Sequence, residues 1–457
     1  MSVCVLSVFG AAHPKYVFLF IGDGMSVPQR MMAEEFALKT GYGPLAMNSL
    51  PYQAATRTRS ANAIITDSAA SATAIACGEK TNNGMLGVTP DGRKLESVAY
   101  VAKKNGKKVG IISTVTINHA TPAGFYAHRK SRGLSYQIAL DLVNSGFDYF
   151  AGGGVGNKYD DKKDSEYQGN VFELARKAGY TVARTREEWS VLKPGSKSWS
   201  AFSDQALNFS IDANPDQPAV SELVAKGIEV LDNPGGFFMM CEGGRIDWAG
   251  HANDSGANLH DVIALDRAVK VALDFAEKHP QDTLVIITGD HETGGLSMGF
   301  AGTGGKFHVE RLAFQKCSAE RLAAEVSSRI KADAETDFDD IEPLLNEKFG
   351  FVFDDDSKSP MALSDREEDE LEDAFEYDKK RILKKINDNK EYDEKSKRRF
   401  ANALKKVFAA HVGVGWSTGS HTALPTLTTA QGVGADILVG MKDNTEIANR
   451  LKKLLTK

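Results

Sequence analysis

The chain has 457 residues, long for a single hydrophobic core, so two or three subdomains are expected. Its 42% hydrophobic and 25% charged content is that of an ordinary globular protein, and no apolar run approaches the ~18 residues of a membrane span. A net charge of −6 excludes general nucleic-acid binding, which favours a basic surface, and requires any anionic ligand to be met by local positive charge, from arginine or metal.

Residues 1–13 admit two readings. Val3 to Phe9 is apolar and small residues follow at Gly10 and Ala12, which suits the remnant of a signal peptide cut after Ala12; the other reading is a loose arm. The first reading carries a periplasmic or secreted location. Cys4, Cys77, Cys241 and Cys317 show neither CxxC nor zinc-finger spacing and leave the disulfide state open.

Tyr16 to Ile21 is a continuous apolar run, as in a buried parallel strand, and it ends at Gly22-Asp23-Gly24. Taken alone, Asp23 is an ordinary turn residue. Next, Ala63-Ile64-Ile65 leads into Thr66-Asp67-Ser68 and an alanine-rich segment, which reads as strand, tight turn and helix. A helix start presents unpaired N–H groups to an anion, and Ser68 stands there. It is also an ordinary place for a capping residue. As a nucleophile, Ser68 needs an activator, and no histidine lies between His13 and His119, so a base or a metal must come from elsewhere.

Lys107 to Thr114 reads as a second buried strand, followed by His119, Thr121 and, further on, Arg132, a residue type able to grip two phosphate oxygens. Phe147 to Ala151 reads as another strand, and residues 158–234 as polar loops and short helices without chemistry. Gly235 to Cys241 is a further strand, ending at Glu242. Asp247 and His251 follow, four apart and so on one helical face, an arrangement that suits either a shared zinc or a simple hydrogen bond. Asp282 to Thr288 leads to Asp290-His291. Residues 302–411 are charge-dense and helical, with a capping-box pattern at Ser364 to Glu367 and apolar stripes at Leu371, Phe375, Ile382, Ile386 and at Phe400, Leu404, Val407, Phe408. They read as an insertion, a lid or an oligomer contact, between two parts of an α/β domain at 14–301 and 412–457. Strand-like segments are expected at 424–429 and 436–439, just after His421; His411, on an apolar stripe, is the alternative ligand.

No single motif decides the matter, but Asp23, His119/Thr121, Glu242 and Asp290/His291 each follow a buried strand. The carboxyl ends of parallel strands share one edge, where ligands bind. Mixed carboxylate and imidazole donors favour zinc, and the oxygen-only subset Asp23, Thr121 and Glu242 favours magnesium. Metals would activate Ser68 without a histidine base and supply the missing positive charge.

These segments resemble the alkaline phosphatase family: Ile21 to Met25, Thr66 to Ala74, His119 to Pro122 with His128 and Arg132, Glu242-Gly243 with Asp247 and His251, Asp290 to Gly295, and Thr418 to Thr422, in the family's order. The resemblance implies a three-layer α/β sandwich with a large, mostly parallel sheet. It further implies hydrolysis of phosphate monoesters of broad range through a phosphoserine at Ser68, with Arg132 clamping the phosphate, and a homodimer. Two Zn2+ ions and one Mg2+ per chain are implied: one zinc held by Asp247, His251 and His421, the second by Asp23, Asp290 and His291, and magnesium by Asp23, Thr121 and Glu242. His119 and Trp248 place the chain with the family's His/Trp subgroup; His119 lies by the magnesium, directly or through water, and Trp248 walls the substrate pocket. The competing readings are a phosphodiesterase or sulfatase of the same superfamily, and a non-catalytic phosphate-binding protein. A sulfatase needs a modified Cys or Ser followed by Pro and Arg, which Ser68-Ala69-Ala70 does not provide.

Overall fold

A computed structural model describes residues 13–354, 357–388 and 399–456. The reading of residues 1–12, including Cys4, lies outside them, as do residues 355–356 and 389–398 of the charge-dense 302–411 segment.

Ten strands form the main sheet: β1 (Tyr16–Gly22), β2 (Tyr52–Arg57), β3 (Lys108–Thr116), β4 (Tyr149–Gly153), β5 (Thr181–Ala183), β6 (Ser198–Ala201), β7 (Phe237–Gly243), β8 (Thr283–Gly289), β9 (Thr426–Gly432) and β10 (Gly440–Asp443). Their order is β10-β2-β9-β8-β1-β7-β3-β4-β6-β5. All pair in parallel except β9, which runs against β2 and β8.

Both faces of the sheet are covered, which is why its central strands read as unbroken apolar runs. Along β1 the side chains alternate: Tyr16, Phe18 and Phe20 enter one core layer, and Val17, Leu19 and Ile21 the other. The result is the expected three-layer sandwich. Residues from 302–411 join the first of these layers. Phe349, Phe375 and Phe408 belong to the same apolar cluster as Phe18. The helices Asp365–Asn387 and Arg399–Val412 bury the stripes read from sequence, except that Ile386 is 48% exposed. Glu367 accepts from the Ser364 backbone N–H at 3.0 Å and from its hydroxyl at 2.7 Å, closing the capping pattern.

Three local expectations are corrected. Ala63-Ile64-Ile65 is not a strand. It is a loop pinned by Asn62 and Asn83, with Ile64 76% and Ile65 46% exposed. Residues 435–437 form a 3-10 turn in place of a strand at 436–439. The 158–234 region contributes β5 and β6 to the main sheet; β6 is Ser-Trp-Ser-Ala, polar at alternate positions yet wholly buried. Among the described residues Cys77, Cys241 and Cys317 are buried free thiols, and no helix is long and apolar enough to cross a membrane.

Candidate active site

The carboxyl ends of β8, β1, β7 and β3 lie side by side, because these four strands are consecutive neighbours in register. Asp23, Glu242 and Asp290 leave those ends and are fully buried. Thr121 arrives from the short helix after β3. Asp247 and His251 come from the helix Arg245–Ala252 that follows β7. His421 precedes β9: an antiparallel strand has its beginning, not its end, at this edge. Ser68 opens the helix Ser68–Cys77, with Asp67 as its cap accepting from the Ala70 N–H at 3.0 Å.

Three groups of donor atoms converge. In the first, His251 Nε2 and His421 Nε2 stand 3.3 and 3.6 Å from Asp247 Oδ1 and 3.2 Å from each other. Each ring uses Nδ1 on a backbone carbonyl, Gly419 O at 2.9 Å and Thr66 O at 2.8 Å. Nδ1 therefore carries the proton in both rings, and two Nε2 lone pairs face each other beside a carboxylate. That arrangement is repulsive unless a metal cation or, in its absence, a second proton on His251 lies among them; hydrogen-bonded to Asp247, His251 holds such a proton above the ordinary imidazole range.

The second group repeats the logic. Thr293 donates its hydroxyl to Asp247 Oδ1 at 2.5 Å and so accepts from His291 Nδ1 at 3.2 Å. The His291 Nε2 lone pair then faces Asp23 Oδ1 and Asp290 Oδ2, each at 3.3 Å. The same nitrogen lies 3.2 Å from Ser68 Oγ. Sequence reasoning expects no imidazole at Ser68; the structure puts one there, in a ring whose free lone pair also faces two carboxylates.

The third group is Asp23, Glu242 and a ring nitrogen of His119, with donor atoms within 4.8 Å of one another. Thr121 donates to Asp23 Oδ2 at 3.2 Å, and Ser113 donates to Glu242 Oε2. Asp23 Oδ1, Asp290 Oδ2, Glu242 Oε1 and His119 Nδ1 are buried with no hydrogen-bond partner among the described residues. Buried carboxylate oxygens without partners are costly, and this donor set fits divalent cations. Asp23 serves both the second and third groups.

The electrostatics agree. Burial, then the neighbouring carboxylates, hold Asp23 well above the usual carboxylate range. Burial pushes Glu242 up to about 7 and Asp290 up to about 8. Asp247 is the exception: burial raises it, but the His251 hydrogen bond and the surrounding imidazoles win and hold it low. The metal-free folded state thus retains protons on Glu242 and Asp290 that an unfolded chain, with carboxylates near ~4, has released. More protons on the folded form mean that stability falls as pH rises. Chelated protein is expected to melt at a higher temperature near pH ~6 than near pH ~9, and Glu242→Gln is expected to flatten that slope. Thermal melts of the chelated pair check this.

Arg132 stands beside Ser68. Its Nη1 donates to Asp67 Oδ2 at 3.1 Å and its Nη2 to His119 Nε2 at 3.1 Å. The Trp248 ring lies 6.0 Å from that of His119. Every candidate residue is therefore within this one edge, while His411 is not: it sits against Glu367 and Pro360 in the 302–411 helices. Sequence reasoning missed Ser113 and Thr293, which orient Glu242, Asp247 and His291. Their signal was present, since each lies near a strand end, but a lone hydroxyl there is too common to single out.

The comparisons with known proteins agree with this geometry. The sequence model of the family described as alkaline phosphatase matches residues 14–457. The chain belongs to the alkaline phosphatase family. It is 33% identical over 453 residues to alkaline phosphatase 3 of Bacillus subtilis (strain 168), covering 96% of this chain and 89% of that one. Among solved structures it is similar to the cold-active alkaline phosphatase of the psychrophile Shewanella sp., with a TM-score of 0.81 at 28% identity, covering 97% of this chain and 100% of that one. It is also similar to a mutant of TAB5 alkaline phosphatase with Mg bound in its M3 site, with a TM-score of 0.67 at 25% identity, covering 98% and 99% of the two chains. The chain is thus a metal-dependent phosphoric monoester hydrolase, an alkaline phosphatase by family.

Proposed function

We propose that this alkaline phosphatase hydrolyses a broad range of phosphate monoesters through a phosphoserine at Ser68, with two Zn2+ ions and one Mg2+ per chain. The observation that carries the reading is the convergence of imidazoles on carboxylates: His251, His421 and His291 all turn Nε2 toward carboxylate oxygens while Nδ1 is engaged elsewhere. Asp247, His251 and His421 would hold one zinc, and Asp23, Asp290 and His291 the other. Asp23, Thr121 and Glu242 offer oxygens alone, which suits magnesium. His119 accepts from Arg132 through Nε2, so its Nδ1 bears a proton. It presents a donor toward that third site and reaches an ion there through water. When bound, such cations activate an attacking oxygen and neutralise charge on the phosphoryl group.

The chain's own residues do the rest. Ser68 Oγ forms a bond to phosphorus as the P–O bond to the alcohol breaks, and the alcohol leaves. Water then attacks the phosphoserine, and Ser68 regains its proton as phosphate departs. Asp67 and His119 hold the Arg132 fork so that it arrives at the phosphoryl oxygens already oriented. Thr293 keeps Asp247 and His291 in place. Trp248 walls the pocket. We further propose a homodimer and a periplasmic or secreted location, resting on the family and on the apolar start of the sequence.

The test is direct. Protein with its metal content measured is assayed on a phosphate monoester, a diester and a sulfate ester. Monoester hydrolysis that disappears with chelation is expected, together with zinc and magnesium in a ratio of about two to one. Preferential cleavage of the diester or the sulfate overturns the reading.

A further inference from the structure

The helix Arg245–Ala252 turns its ligands Asp247 and His251 toward the metal groups. Its other side walls two cavities. One, of about 890 Å³, begins at Trp248 and Arg245. The second, of about 710 Å³, begins at His251. The opposite wall of both is the helix Arg399–Val412, whose Asn402 and Lys405 line the two cavities together. The segment between Gly302 and His411 therefore forms one side of a groove whose other side is the metal-binding helix.

That groove is built to receive negative charge. Lys405 is half-buried and makes no hydrogen bond or ion pair among the described residues; burial lowers its pKa, and the charges of Asp254 and Glu320 oppose that shift. Arg245 lies 3.7 Å from the ring centroid of Phe209 and 4.9 Å from that of Trp248, and its Nε is buried without a hydrogen-bond partner among the described residues. The carboxylates on the same wall are engaged. Asp254 accepts from the Ala257 and Ala319 N–H groups and from Gln315 Nε2, at 3.0, 2.8 and 2.6 Å. Asp212 accepts from the backbone and hydroxyl of Ser318 at 2.9 and 2.6 Å. Glu320 is exposed. Trp248 joins the groove to the phosphate site, since its ring neighbours His119, which touches Arg132. A group attached to the phosphate's ester oxygen and extending past Trp248 meets Arg245 and then Lys405.

We propose that this groove is a leaving-group subsite, that it selects phosphate monoesters whose alcohol carries a second anionic group, and that Lys405 binds that group. The proposal rests on the phosphomonoesterase reading and gives the 302–411 segment a part in substrate choice. Lys405 acts on the remote end of the substrate, so the bond-breaking step itself does not depend on it.

The metal-loaded enzyme is assayed on phosphate monoesters of ω-hydroxycarboxylic acids of increasing chain length, on the matching amides, and on the corresponding diol bisphosphates. At the chain length that spans the groove, kcat/KM is expected to favour an anionic substrate over the amide by about tenfold, the size of one charge-assisted hydrogen bond. Lys405→Met is expected to erase that preference, bringing kcat/KM on the anionic substrates down to that on the amide, and Lys405→Arg to keep it. A larger advantage for the acid identifies a carboxylate as the preferred group, and a larger one for the bisphosphate identifies a second phosphate. Equal rates on acid, bisphosphate and amide at every length, or a preference that survives in Lys405→Met, overturn the subsite. Failure of the wild type on all three substrates would instead strike the phosphomonoesterase reading.

Discussion

Replacing Ser68 with alanine is expected to lower kcat on phosphate monoesters by on the order of 10⁴-fold or more, with metal content unchanged. The two halves of this expectation have separate causes. Ser68 Oγ, at the helix start, lies 3.2 Å from His291 Nε2, and its loss removes the atom that bonds to phosphorus. The ligand groups, in contrast, are held by Thr293, Ser113, Gly419 and Thr66, none of which leans on Ser68. The helix also keeps its cap, because Asp67, not Ser68, accepts from Ala70. The stability change is therefore about 1 kcal/mol, the value of one hydrogen bond. Steady-state kinetics and elemental analysis on the same preparation check both halves. A variant that still turns over, or an acid-quenched wild type that carries no phosphoryl mass, removes Ser68 from the mechanism.

Asp23→Ala is expected to be as damaging to turnover, by a different route. Asp23 is shared by the second and third donor groups, so both lose a ligand at once, and metal binding should fall at two sites. His421→Ala, which touches the first group alone, should cost about one ion per chain. The variant also carries a sign test. At pH ~9, where Glu242 and Asp290 have shed the protons the metal-free fold keeps at lower pH, removing the Asp23 carboxylate relieves its repulsion with both. Chelated Asp23→Ala should therefore melt at a higher temperature than chelated wild type at that pH, whereas with excess zinc and magnesium the order should reverse. Elemental analysis with melts in both conditions checks this. If the chelated variant is the less stable, Asp23 is held by contacts other than its neighbours' charges.

Much of this site was legible in the sequence because strand ends announce themselves. An apolar run stopping at an acid or a histidine, repeated along the chain, predicts a shared edge, and Asp23, Glu242, Asp290 and His291 all lie on it. What was illegible was where local appearance and tertiary context part. Ile64-Ile65 has strand chemistry, but Asn83, itself held by Asn62, donates its side-chain amide to the Ile65 carbonyl, and both isoleucine side chains stay in solvent. Ser198 to Ala201 has loop chemistry, but its neighbours β4 and β5 supply the ladder that buries it. His251 and His421 could be named from the family pattern, yet their tautomers could not, since the carbonyls that fix them, Gly419 for His251 and Thr66 for His421, each lie far in the chain from the ring they fix. The role of 302–411 was equally hidden: helical stripes show which side is buried, but not that the next helix over holds Asp247.

β9 enters the sheet against the direction of its neighbours, and that reversal has a consequence for biosynthesis. It brings His421 to the same edge as Asp23, so the first and last contributors to one ionic cluster are separated by nearly the whole polypeptide. A nascent chain lacking its final segment lacks His421, and with it one member of the first donor group. Completion of that group is therefore a late event in synthesis.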